Sequence, residues 1–289
     1  TIEDLIRNAD AAMYFSKRTG RGRFEFYTPE LTAPAAERLL LASQLRRGIE
    51  RGELILHFQP QFDTRSGRML GAEALVRWEH PEHGQLPPAR FIPIAEESDL
   101  IHAVGEWVLD RTCRHIADWR ERGLKVVPVA INFSALQFRR SGLVETVAGA
   151  LARHGISARD LEIELTENAI MQDPRETARI LETLHGMGVV LSIDDFGTGY
   201  SSLNYLKRFA IDKLKIDRSF ITDLPQDLND AAIVQAVVSL ARSLQLRVTA
   251  EGVESRPQLD FLRAVGCQAY QGFLGARPMT AAEFEALLV

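Results

Sequence analysis

Short apolar runs recur along this chain with helical repeats between them, and that alternation limits the fold more than any other feature. From Leu54 onward the runs are Leu54–Phe62, Met69–Trp78, Val126–Phe133, Leu161–Thr166, Val189–Asp194, Lys213–Asp217, Arg247–Glu251 and Gln268–Phe273. After the second run, the longer connections carry apolar residues at helical spacing, as in Ile101–Arg122, Val144–His154, Arg175–Gly186 and Ala231–Leu244. Strands joined by helical crossovers predict an α/β fold, a modified TIM-type (β/α)8 barrel, which takes about 250 residues as one unit. The first two runs are joined only by Asp63-Thr-Arg-Ser-Gly67. So short a link permits only antiparallel pairing, so one strand, the first, is expected to run backwards.

Ahead of the barrel the pattern differs. Residues 2–17 read as a helix, Lys17–Arg23 is basic and glycine-containing, and Phe24–Tyr27 reads as a short strand. One helix and one strand cannot bury a core alone. After the Pro29–Pro34 loop a second amphipathic helix is expected from about Ala36 to Arg51, which puts a boundary at residue 35 and the barrel domain over 36–289. The chain starts in mid-pattern, as a segment of a longer protein would.

With 46% hydrophobic and 25% charged residues the chain can bury a core and is not disordered. A net charge of -5 argues against a nucleic-acid polymer as partner. The two cysteines, Cys113 and Cys267, lie far apart without CxxC spacing, which excludes a disulfide framework and a thiolate zinc site. That usage fits a reducing, cytoplasmic compartment. No apolar run approaches the roughly 20 residues of a membrane span, so no membrane contact is expected from this segment, although a full-length protein could be tethered.

Side chains alternate faces along a strand, and nearly every run carries a polar residue near its C-terminal end. Glu73, Leu75 and Arg77 share one face, as do Glu162 and Glu164, while Asn132, Asp194, Lys215 with Asp217, Glu251 and Gln271 sit on other strands. In a barrel these positions surround one mouth. Several carboxylates would then face a single lysine, and like charges so close raise one another's pKa unless a cation offsets them. Oxygen donors without histidine or thiolate select a hard cation such as Mg2+ or Mn2+. The adjacent Asp194 and Asp195 suit two ions with one bridging carboxylate. Any one of these acids is more simply a solvated strand end, but their joint recurrence is not. His80-Pro-Glu-His83 is a proline-containing turn, and Gly197-Thr-Gly199 lacks a full phosphate-binding motif and reads as a flexible loop over the mouth.

The combination of Gln59-Pro60, Glu73-Ala-Leu75 with Arg77-Trp78, Asn132-Phe-Ser134, Glu164-Leu-Thr-Glu167, Asp194-Asp-Phe-Gly-Thr-Gly, Leu214-Lys-Ile-Asp217, Glu251-Gly-Val-Glu254 and Gln271-Gly272 resembles the EAL-domain cyclic di-GMP phosphodiesterases. Order and spacing match over about residues 36–289. Asn8-Ala-Asp-Ala-Ala-Met-Tyr14 with Lys17–Phe24 looks like the end of a GGDEF domain, so residues 1–35 are read as its C-terminal remnant and linker, from a tandem GGDEF–EAL protein with upstream sensor domains. The GGDEF signature itself is absent from this chain.

The resemblance implies hydrolysis of cyclic di-GMP to linear 5′-pGpG. It implies metal ligands Glu73, Asn132, Glu164, Asp194, Asp195 and Glu251 for two ions, with Lys215 and Glu251 catalytic and Glu251 either ligand or proton acceptor. Gln59, Leu75, Arg77, Asp217, Glu254 and Gln271 match substrate-contacting positions. Glu167 matches an acid that anchors the loop at 196–203, which the family also uses in a homodimer contact. Departures are Ala210 for a proline, Phe133 for a smaller aliphatic, and Gly275 for an aromatic. Two alternatives stand beside this reading: a silent EAL module that binds cyclic di-GMP without cutting it, and an Mg2+-dependent barrel acting on an enolisable acid with Lys215 as base.

Overall fold

Along Leu161–Thr166 the residues Leu161, Ile163 and Leu165 are buried on one face, while Glu162 and Glu164 are buried on the other. A strand of this kind needs an apolar layer outside it and polar partners inside it, which a closed barrel with a helical jacket supplies. The computed structural model describes residues 32–199 and 203–289, together with Ala9 and Met13. The expected N-terminal remnant therefore lies almost wholly outside the described residues.

The barrel strands are β1 (Leu54–Asp63), β2 (Met69–His80), β4 (Val129–Phe133), β5 (Leu161–Thr166), β6 (Val190–Phe196), β7 (Lys213–Ile216), β8 (Arg247–Ala250) and β9 (Ala269–Tyr270). They run in the order β1-β9-β8-β7-β6-β5-β4-β2, and a β1–β2 pairing closes the ring. From β2 through β9 each neighbour is parallel, whereas β1 pairs antiparallel with β9 at Phe62↔Tyr270. The single reversed strand is the first, as expected. The Asp63 carboxylate caps the reversal by accepting from the backbone N–H of Arg65 and Ser66 at 3.1 and 2.6 Å. Gly67, at φ 70°, supplies the left-handed residue that the tight turn requires.

The described residues divide into two compact units, 32–54 with 78–100 and 55–77 with 101–199 and 203–289. In the first, the helix Thr32–Arg51 packs on the helix Pro88–Glu97, and β3 (Gly84–Leu86) pairs antiparallel with the end of β2 at Trp78↔Leu86. Leu45, Trp78 and Phe91 are buried there, and the Trp78 indole donates to Glu53 Oε2 at 3.0 Å. The second unit holds the rest of the barrel, with the helices Ile101–Glu121, Leu143–His154, Pro174–Gly186, Leu228–Ser243 and Arg256–Val265 following its strands. Among the described residues no helix is long and apolar enough to cross a membrane.

The structure departs from the sequence expectation in several places. The helix expected from about Ala36 begins at Thr32. The strand expected from Val126 begins at Val129, and the last barrel strand is only Ala269–Tyr270. Pro88–Glu97, for which the sequence gives no expectation, is a helix; Pro88 occupies its first turn, where no N–H is needed. The small strand β10 (Met279–Thr280) adds to the outer edge of β1 at Phe58↔Met279.

Phe58 of β1 is fully buried against Trp119 at 5.1 Å and Phe284 at 5.5 Å between ring centroids. Trp119 also donates to Glu285 Oε1 at 3.0 Å, so the last helix, Ala281–Glu285, holds the reversed strand against the jacket. Phe284→Ala is expected to lower the unfolding free energy by about 3–5 kcal/mol, the range for truncating a buried phenylalanine. Urea denaturation checks this; an unchanged midpoint would mean that the aromatic cluster does not secure the closing strand.

Candidate active site

Lys215 stands on the inner face of β7 with no exposed surface. Its ammonium lies 2.6 Å from Glu164 Oε2, 2.6 Å from Glu251 Oε1, 3.3 Å from Asp194 Oδ1 and 3.6 Å from Glu73 Oε2. These partners come from β5, the end of β8, β6 and β2, so four separate strands converge on one cation. Burial alone would strip the proton from the lysine, but the surrounding carboxylates together hold its pKa well above the ordinary value.

One ammonium does not satisfy all the acids around it. Burial, opposed by Lys215 and reinforced by Glu73 and Asp194, raises Glu164 well above the usual carboxylate range. Burial raises Glu251 to about 8, again against Lys215 and with Asp194 and Glu73 adding to the rise. Burial and then Asp194 and Asp217 raise Asp195 to about 6. Glu73 goes the other way: burial works against ionisation, but Lys215, Gln271 and Asn132 pull its pKa down. Asn132 Nδ2 and Gln271 Nε2 each donate to its carboxylate at 2.6 Å.

Consecutive strand residues face opposite sides, yet Asp194 and Asp195 act on the same side. The register of β6 against β7 shifts between Ile193 and Phe196, and Asp195 adopts φ 53°. This bulge turns the second carboxylate back toward the first. The Asp195 N–H then donates to Asp194 Oδ1 at 2.9 Å. Oxygens of Asp194, Asp195 and Glu251 lie within 4.8 Å of one another. Glu164 Oε1, buried, has no hydrogen-bond partner. All-oxygen donors, an orphaned carboxylate oxygen and an excess of negative charge over one lysine fit a hard divalent cation.

Glu167 is the first residue of a short helix, Glu167–Ile170, capped by Thr166. It is buried, and its Oε2 accepts from the Gly197 N–H at 2.9 Å. A Cβ at Gly199 would stand 2.9 Å from Glu167 Oε1, so the loop lies directly on the carboxylate. Residues 200–202 are outside the described residues. Gln271 follows β9 and is buried; its backbone carbonyl accepts from Val253 at 3.1 Å. Gly272 makes that crossing possible, since a Cβ there would be 2.2 Å from Val253 O.

A cleft of about 590 Å³ opens above the cluster, lined by Gln59, Glu73, Asn132, Asp194, Glu251, Glu254 and Gln271 together with Arg218, Phe273 and Pro278. That volume is in the range of small-molecule sites, about 300–1,000 Å³. Leu75, Arg77 and Asp217 are not in this lining. Arg77 is half-buried and donates to Val76 O at 2.9 Å, and Asp217 caps the turn Arg218–Phe220 through Ser219 N–H at 3.0 Å. Gln61 and Lys213, outside the residues expected from the sequence to form the site, lie buried inside the barrel. Their only sequence signal is the two-residue step from Gln59 and from Lys215.

The EAL domain family is matched over residues 42–278. The chain is 50% identical over 281 residues to the bifunctional diguanylate cyclase/cyclic di-GMP phosphodiesterase MucR of Pseudomonas aeruginosa, covering 97% of this chain and 41% of MucR. It is 40% identical to the cyclic di-GMP phosphodiesterase PdeR of Escherichia coli, covering 97% of this chain and 42% of PdeR. The chain thus spans about two fifths of the length of these curated relatives. Among solved structures, the PaMucR phosphodiesterase in its c-di-GMP complex superposes with a TM-score of 0.82 at 50% identity, covering 85% of this chain and 99% of that one.

The raised acids give a test of cation fit. With Asp195 near 6 and Glu251 near 8, against ordinary values of 3.8 and 4.5, the cation-free folded state binds more protons than the unfolded state between those values. Stability contributed by these protons is then lost as pH rises through that window. A bound divalent cation displaces the protons, so Mn2+ is expected to raise the melting temperature more at about pH 8.5 than at about pH 5.5. Melting curves in EDTA and in excess Mn2+ check this; equal rises at both would detach these carboxylates from the metal.

Proposed function

The chain belongs to the EAL-domain family, and from that membership we propose that it hydrolyses cyclic di-GMP to linear 5′-pGpG. The observation that carries the reading is the buried Lys215–carboxylate cluster at the floor of a cleft, in a chain half identical to PaMucR phosphodiesterase, solved with c-di-GMP. A product with a 5′-phosphate requires that water attack phosphorus and that the bond from phosphorus to the 3′-oxygen break.

Mg2+ or Mn2+, two ions in our reading, would be held by Glu73, Asn132, Glu164, Asp194, Asp195 and Glu251, with Asp194 shared. Bound there, the cations would lower the pKa of the attacking water and neutralise charge on the phosphate oxygens. Lys215, held protonated, cannot act as a base; it orients the water and offsets charge developing at phosphorus. The same fact counts against chemistry on an enolisable acid. Glu251, which lines the cleft at 2.6 Å from Lys215, takes the proton from water.

Gln59, Gln271 and Glu254 line the cleft, and in our reading they contact the nucleotide together with Leu75, Arg77 and Asp217, which lie outside that lining. Arg77 would exchange Val76 O for a phosphate, to which its planar donor fork is suited. Glu167 holds the Gly197 loop and through it the bulge that aims Asp194 and Asp195. A silent cyclic di-GMP receptor would have no use for so costly a buried charge cluster. We also propose a homodimer, a cytoplasmic location, and a GGDEF remnant over 1–35 with sensor domains upstream in the full-length protein.

Purified chain incubated with cyclic di-GMP and Mg2+ should yield 5′-pGpG by chromatography, and excess EDTA should stop turnover; undiminished turnover in EDTA would sink the metal mechanism. Glu73→Ala and Asp194→Ala are each expected to lower kcat by about 100-fold or more while the fold persists by circular dichroism. Glu167→Gln should cost about 10- to 100-fold and shift the Mn2+ midpoint upward, because it supports ligands and does not replace one. A rate against Mn2+ titration that leaves the midpoint in place would show that Glu167 does not act through the metal's ligands.

A further inference from the structure

Beneath the carboxylate cluster the barrel interior holds a second polar layer that the proposed chemistry does not use. Lys213, two residues before Lys215 on the same face of β7, donates to Glu162 Oε2 at 2.7 Å and to Gln61 Oε1 at 3.2 Å. Gln61 Nε2 donates to Gln271 Oε1 at 3.0 Å. Gln271 Nε2 in turn donates to Glu73 Oε2 at 2.6 Å and to Gln59 Oε1 at 3.0 Å. Every one of these side chains is buried.

The chain of bonds has a direction. An ammonium offers only donors, an ionised carboxylate only acceptors, and a primary amide one side of each. Lys213 at one end therefore turns the carbonyl of Gln61 toward itself and its NH2 toward Gln271. Gln271 must then accept with its oxygen and donate with its nitrogen, which is the orientation that Glu73 at the other end requires. Reversing either amide sets two donors or two acceptors face to face.

We propose that Glu162, Lys213 and Gln61 are positioning residues: they fix the amide polarity of Gln271 and, through it, the placement of the Glu73 carboxylate. The inference rests on the reading of Glu73 as part of the hydrolytic site. Glu162 keeps Lys213 at the floor of the barrel, Lys213 sets the polarity, and Gln61 transmits it upward. None of the three reaches the cleft lining.

Gln61→Glu provides the test because it keeps size and the acceptor facing Lys213 but presents an acceptor to Gln271 Oε1, which reverses the chain. Gln61→Met cuts the chain without reversing it. The side-chain NH2 cross-peaks of Gln271, assigned by their loss in Gln271→Ala, report the amide directly by 15N NMR and do not depend on turnover. Both variants are expected to move these peaks, the glutamate more than the methionine, and to lower kcat on cyclic di-GMP, with the glutamate loss reaching about 10- to 100-fold. A purely structural role predicts losses that follow melting temperature, with the two substitutions ranked by stability alone.

Should Gln61→Glu not fold, the Lys213→Met/Glu162→Leu double variant removes the ion pair as a unit and should move the same peaks with intact Gln61. Unmoved Gln271 peaks in a folded variant, or moved peaks with unchanged kcat, would overturn the inference. Failure of the unsubstituted chain to hydrolyse cyclic di-GMP would instead overturn the hydrolase reading, and the NMR result would still judge whether the floor layer orients Gln271.

Discussion

A single ammonium, Lys215, is buried among carboxylates delivered by four strands, and the rest of the barrel is arranged so that this can be so. Taking such a group out of water is costly, and a buried ion pair seldom repays the loss in stability. What it secures here is convergence. Glu164 and Glu251 at 2.6 Å cannot reach Lys215 unless β5, β7 and β8 keep their registers. The residual cost shows in the raised pKa of Glu164, Asp195 and Glu251, and its sign is the one that a divalent cation would relieve.

The reversed first strand has a consequence for the layering of the interior. On a parallel strand the later inward residue lies nearer the mouth: Glu164 meets Lys215, and Glu162 lies below it on Lys213. On β1 the order inverts. Gln59, the earlier residue, lines the cleft and donates to Ala276 O at 3.1 Å, while Gln61, the later one, reaches down to Lys213. One antiparallel strand thus carries two amides that span both layers from the side where Gln271 enters.

Much of this was legible in the sequence because it depends on alternation. Leu161, Ile163 and Leu165 against Glu162 and Glu164 state both the strand and its two faces, and the short Asp63–Gly67 link states the reversal. What alternation cannot read is departure from it. The β6 bulge brings Asp194 and Asp195 to one side, and only their adjacency hinted at it. Depth was also hidden: Lys213 and Lys215 look alike in sequence, and only the ring of partners separates a residue at the floor from one at the cleft.

The choice of lysine at the centre follows from how the barrel presents its acids. Carboxylates from β2, β5, β6 and the end of β8 reach one nitrogen from four strands of a closed ring. An arginine fork is planar and favours a paired approach from one direction. A compact ammonium with three donors can take Glu164 and Glu251 at 2.6 Å and still leave Asp194 at 3.3 Å and Glu73 at 3.6 Å within its field. Those two longer contacts are also the acids with other partners: Glu73 has two amide donors, and Asp194 accepts the N–H of Asp195. The lysine therefore binds most tightly the acids that have least else to hold them, which keeps the ring ordered without closing every oxygen to a further cation.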